Sequence, residues 1–164
     1  MNRISQLAAA LLLLGVISTT DAARPGKISK VLPHWLDLQG RHTLSPSLLE
    51  RDAYQAKLRA DRSLCSGIRF DVKWATNTGG TVKLQLELRV TGMGKPIVLE
   101  RAIKPNRRGG WDVVTLDGGA FKAIDKIIAW RLRLLDGDIE LAERRSFLWT
   151  EPKPTSDAKK TAAD

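Results

Sequence analysis

Residues 82–90 read VKLQLELRV. Valine or leucine fills every second position, and Lys83, Gln85, Glu87 and Arg89 fill the positions between. Successive side chains of a strand point to opposite faces, so this pattern predicts a strand buried on one face and wet on the other. Residues 68–74, IRFDVKW, repeat the pattern, with Ile68, Phe70, Val72 and Trp74 on the apolar side. Ile128, Trp130, Leu132 and Leu134 repeat it again, against Ala129, Arg131 and Arg133. Trp74 and Trp130 therefore belong to the core.

Turn signals separate these runs: Asn77-Thr78-Gly79-Gly80, then Gly92-Met93-Gly94-Lys95-Pro96, then Asp136-Gly137-Asp138. The last joins two apolar runs and predicts a hairpin. Weaker strands are expected at Ile97–Lys104, Trp111–Leu116 and Ile139–Trp149, the last with a bulge where alternation fails near Ala142–Arg145. Lys27–Leu32 supplies a first strand. About seven short strands with one polar face per sheet, and no β-α-β alternation, predict an antiparallel immunoglobulin-like β-sandwich, mainly all-β.

One helix is expected within this series, near residues 47–60. Ser47-Leu48-Leu49-Glu50 has the form of a capping box, with Ser47 as N-cap and Glu50 reaching back to its amide. Leu49, Ala53, Ala56 and Ala60 fall in a narrow arc at helical spacing and predict a face that lies close on the sandwich. Residues 151–164 (EPKPTSDAKKTAAD) have no apolar periodicity and read as a disordered tail.

The chain has 164 residues, which fits one domain over residues 23–150 beside its terminal segments. Residues 1–22 have the parts of a secretory signal peptide. Arg3 supplies the positive charge, Leu7–Ile17 (LAAALLLLGVI) the apolar stretch, and Thr20-Asp21-Ala22 a cleavage site after Ala22. The apolar stretch is too short to span a bilayer core of about 30 Å. A periplasmic or secreted protein, not membrane-spanning, is expected. The single cysteine, Cys65, excludes an internal disulfide and reads as a buried thiol.

The formal net charge is +9, so a polyanionic partner is favoured. Export argues against nucleic acid. Lys104, Arg107 and Arg108 precede Gly109-Gly110-Trp111, and this loop is the candidate ligand-binding site, joining charge to an aromatic face. Arg144 and Arg145 form a second basic pair. Five of the nine aromatics are tryptophan, and Trp35, Trp111 and Trp149 lie at element ends, where a sugar could stack.

Catalytic signatures are missing from the sequence: there is no G-x-S-x-G, no phosphate-binding glycine loop and no H-E-x-x-H. His34, Asp37 and His42 are the pieces of a metal site, but H-x2-D-x4-H matches no ligand spacing, and they are expected to tether the Pro33–Pro46 segment. Asp71 and Glu87 are explained by ion pairs with basic neighbours. No catalytic residue, metal or cofactor is assigned.

Two stretches resemble an uncharacterised family of exported bacterial proteins with an immunoglobulin-like sandwich. They are Lys30–Arg59 (KVLPHWLDLQGRHTLSPSLLERDAYQAKLR) and Ala129–Trp149 (AWRLRLLDGDIELAERRSFLW). The resemblance implies export and the sandwich, and it brings no activity, cofactor or site residue. The expectation is an exported, non-catalytic binding module of the cell envelope that contacts another envelope protein or an anionic polymer or glycan. The alternatives are a carbohydrate-binding module using an exposed Trp, and an envelope hydrolase using carboxylates or the His34, Asp37 and His42 group.

Overall fold

A computed structural model describes residues 25–103 and 108–150. The expected leader at 1–22, the tail at 151–164, and Lys104 and Arg107 lie outside the described residues. The elements are β1 (Gly26–Asp37), α1 (Leu48–Ala60), a 3-10 turn (Arg62–Leu64), β2 (Cys65–Thr76), β3 (Val82–Val90), β4 (Ile97–Ala102), β5 (Gly109–Asp117), α2 (Gly118–Lys122), β6 (Ile127–Asp136) and β7 (Ile139–Arg145).

The seven strands form two antiparallel sheets, β1-β2-β5 and β4-β3-β6-β7. The apolar sides of both meet in one core, built on Phe70, Val72 and Trp74 from the first and Leu84, Leu86, Leu88, Leu132 and Leu134 from the second. This is a β-sandwich. In constant-type immunoglobulin domains the fourth strand joins the sheet of the first, second and fifth. Here the short turn after Val90 returns β4 directly along β3, so the fourth strand stays with the second sheet.

Several boundaries and faces differ from expectation, each for a local reason. β1 runs on to Asp37, through Pro33. Proline lacks an N–H to donate, and β1 tolerates it because it is an edge strand that pairs only with β2. β6 carries a bulge. Arg89 pairs with Ala129 and Val90 with Ile127, so Ile128 is left without a partner. The slip reverses the alternation there: Ala129 is buried and Ile128 is 47% exposed, on the water side rather than in the core. The β7 bulge falls at Leu141, between the partners of Leu134 and Leu135, and it buries Leu141 and Ala142 in succession. β4 ends at Ala102 and β7 at Arg145. The short α2 was not anticipated, since glycine is a poor helix former and two open it; buried Phe121 anchors it, under the Arg62 guanidinium 4.3 Å away.

α1 forms where expected and turns the opposite face inward. Leu49 is 81% exposed, and Ala53, Ala56 and Ala60 are exposed with it. Leu58 and Gln55 are buried instead. Alanines offer little area to bury, whereas Gln55 satisfies backbone groups that the strand ladder does not. It accepts from Trp35 N–H at 2.8 Å and donates to the carbonyls of Trp35 and His42 at 2.9 and 2.7 Å. The capping box also fails to close. Ser47 makes no side-chain cap bond, and its own amide is taken by Ser45 Oγ at 3.1 Å, so Glu50 has nothing to reach for.

Candidate ligand-binding face

Because Phe70, Val72 and Trp74 point inward, the residues between them must point out. Register then carries the outward positions across the first sheet in rows. Lys30, Lys73 and Trp111 make one row; Leu32, Asp71 and Val113 the next; His34, Arg69 and Thr115 the third. Leu32, His34, Arg69, Asp71, Trp111 and Val113 line a shallow depression of about 320 Å³, and Arg51 of α1 completes its rim.

Trp111 is held in this position from inside the sandwich. Its neighbour Asp112 accepts a hydrogen bond from the buried Trp74 indole N–H at 2.9 Å, which fixes the parity of the strand. Gly109 makes the approach possible, since a Cβ there would stand 3.0 Å from the Trp74 carbonyl oxygen. Trp111 is 48% exposed, with Lys73 Nζ 5.9 Å from its ring centre. The other tryptophans are less available: Trp74 and Trp149 are buried, and Trp35 and Trp130 are half-buried against the core. Trp149 folds back under the guanidinium groups of Arg89 and Arg131, at 4.5 and 4.9 Å.

At the opposite corner, Arg69 donates to Asp71 Oδ1 from Nε and Nη2, at 3.0 and 2.6 Å. His34 Nε2 lies 3.5 Å from the other Asp71 oxygen, and the His34 and His42 ring centres are 5.1 Å apart. Burial holds the His34 imidazole below its ordinary pKa; Asp71 pulls it up, and His42, Arg69 and Arg51 push it further down. His42 is lowered by burial and by Arg69 and Arg51, against Asp71.

Of the four basic-loop positions read from sequence, the structure places two. Trp111 joins the depression, and Arg108 is exposed just before β5, its carbonyl accepting from Thr76 N–H at 2.9 Å. Arg144 and Arg145 do not gather there. Arg144 ties β7 to the Ser29 carbonyl at 2.5 Å, and Arg145 lies 3.9 Å from Glu143.

Sequence reading missed Lys30, Arg51, Arg69 and Lys73 as site residues. The charged half of the 68–74 alternation was the signal for Arg69 and Lys73; strand pairing brings Lys30 onto their face, and the packing of α1 brings Arg51. His34 and Asp37 separate: His34 looks outward, while Asp37 turns to the base of α1 and tethers the 37–41 turn and Tyr54. Among the described residues, no three His, Cys, Asp or Glu side chains converge on a metal position.

The two sheets differ in how their outer charges are answered. On the second sheet, Glu87 pairs with Arg131 at 2.9 Å and Arg133 at 2.8 Å, and Lys83 pairs with Glu100 at 2.9 Å. On the first, Asp71 answers Arg69, while Lys30 and Lys73, and Arg51 on the neighbouring α1, carry no counter-ion among the described residues. A larger depression of about 460 Å³, between β1, the start of β6 and residues 146–148, is mostly apolar, with Arg59 its one charged side chain. No family model matches the chain, and no curated protein matches it significantly.

Proposed function

We propose that the protein is an exported, non-catalytic binding module of the cell envelope, and that the outer face of its three-stranded sheet holds an anionic glycan. The observation that carries this reading is the row Lys30, Lys73 and Trp111: an exposed indole flanked by cations with no counter-ion among the described residues. An aromatic face takes the apolar side of a sugar ring, and the lysines take its charge. Arg108 stands at the entrance of the same strand, and Lys104 and Arg107 contribute by their nearness in sequence. Export is read from residues 1–22, and no described helix is long and apolar enough to cross a membrane. A small ligand is favoured because the depression, about 320 Å³ with an indole in its lining, is of the size that takes one or two sugar rings.

Glycan-array binding followed by calorimetry tests the reading. Trp111→Ala is expected to weaken binding roughly tenfold, the scale of one lost aromatic contact. Arg107→Glu with Arg108→Glu is expected to weaken it further at low salt, since exposed charges act through a screened field. Unchanged binding by Trp111→Ala would sink the assignment. The exposure of Trp111 also favours a second reading, a neutral glycan held by stacking alone, which is distinguished by affinity that persists at high salt.

A further inference from the structure

We infer that the corner formed by Arg51, His34 and His42 seats the carboxylate of a sugar acid and grips it more tightly as the pH falls. This rests on the glycan-binding reading of the face and adds the ligand's chemistry and its regulation. The chain has two histidines, and both are here, brought together from β1 and from the 38–47 loop with ring centres 5.1 Å apart. Arg51 reaches the same rim from α1 and has no counter-ion among the described residues.

The charged groups facing the imidazoles are few. β2 contributes Arg69 and Asp71, α1 contributes Arg51, and the outward residues of β5 (Trp111, Val113 and Thr115) bring no charge. Asp71 is the one acid among them: Arg69 takes its Oδ1, and its Oδ2 faces His34 Nε2 at 3.5 Å, which leaves one half-shared carboxylate for two imidazoles and two guanidinium groups. In the free protein both imidazoles resist protonation, so acid favours the unfolded chain, whose histidines take up protons first near 6.5. A bound carboxylate reverses this by adding a second negative charge beside that of Asp71. Proton uptake and ligand binding then reinforce each other.

A carboxylate suits the corner better than a phosphate. The Asp71 carboxylate in the floor repels a dianion, but it accepts hydrogen bonds from the hydroxyls around a single negative charge. Four residues along β2 separate the Trp111 row from the Arg69 row, roughly 13 Å at strand spacing. That leaves room for a short oligosaccharide, with one ring on Trp111 and the acid of another at the corner.

The test is calorimetry of the purified protein with tetragalacturonate and its methyl ester, at about pH 7.5 and about pH 5. The acid's carboxyls titrate near ~3.5 and stay ionised throughout, whereas histidine titrates within the window. Tetragalacturonate is expected to bind about fivefold tighter at the lower pH, the scale of two partly screened charge pairs. Its methyl ester is expected to show no such gain, and His34→Asn with His42→Asn to abolish it. NMR titration of the wild-type imidazoles needs no variant, and ligand is expected to raise both midpoints.

Binding that depends on Trp111 with no pH response, or a pH response that survives in the double variant, would overturn the corner while leaving the face intact. Binding of the ester alone would overturn the carboxylate assignment. Binding of neither compound would overturn the corner and the glycan reading together.

Discussion

Asp37 shows how much one side chain can organise. It is buried at the end of β1, and its carboxylate accepts from the amides of Gln39 and Arg41, from Arg41 Nε and from the Tyr54 hydroxyl, all within 2.7–2.9 Å. Burial pushes its pKa up, but Tyr54, Arg41 and Gln39 outweigh burial and hold the carboxyl at about 2. The Tyr54 hydroxyl is raised in turn by its bond to Asp37. Because the folded carboxyl is the stronger acid, its contribution is complete above the ordinary 3.8 and is lost as the pH falls through about 2. Asp37→Ala is expected to lower stability by about 3 kcal/mol at neutral pH, read from the urea midpoint, since it removes four hydrogen bonds to a buried carboxylate. The same substitution is expected to flatten the acid limb of the stability profile between about pH 4 and about pH 2, and a profile parallel to wild type would contradict this account. Sequence reading identified Asp37 as a tether but not its partners. Tyr54 lies on the helix, 17 residues away in the chain, and only the folding of α1 against β1 brings it close.

At the scale of elements, the strands were legible and their irregularities less so. Alternation names the faces of residues 68–74 and 82–90 because neither carries an extra residue: the slips opposite them fall on their partners, at Ser29 of β1 and Ile128 of β6. It fails at Ile128, where one unpaired residue reverses the parity of those around it, and no local pattern announces that slip. The three rows on the outer face of the first sheet were hidden for a related reason. Lys30, Lys73 and Trp111 become neighbours through register, and register is a property of pairs of strands. α1 misleads differently: its apolar arc is real, yet the inward face is chosen by hydrogen bonds. Gln55→Ala would leave the Trp35 amide and two carbonyls unanswered, and is expected to cost about 2 kcal/mol and to speed hydrogen exchange along α1. Leu49→Ser, on the face that periodicity favours, is expected to change stability by less than about 0.5 kcal/mol. The reverse ranking in thermal unfolding would restore the arc as the buried face.

For the molecule as a whole, the open question is whether sandwich and helix unfold together, and Cys65 reports on it. The thiol lies where the 3-10 turn enters β2, buried in the core, and donates to the Leu58 carbonyl at 3.2 Å. Burial raises its pKa; Arg62 opposes this, and Asp61 and Asp37 add to it, so little reactive thiolate forms even where reagent could enter. Leu58 belongs to α1 and also to the core cluster, which joins the helix to both sheets. Exposing Cys65 therefore requires α1 to leave its seat, and that removes Leu58 from the core and Gln55 from β1 at the same time. If these losses are cooperative, thiol labelling in native buffer proceeds only through the globally unfolded chain. At an ordinary domain stability of about 5 kcal/mol or more, it is expected to be at least ~1,000-fold slower than in denaturant. Its rate should rise with urea along the slope of global unfolding. Rapid labelling without denaturant, or a rate insensitive to low urea, would instead mean that α1 opens by itself. The Arg51 rim of the proposed binding face would then be a moving part, and any ligand that orders α1 would slow the labelling.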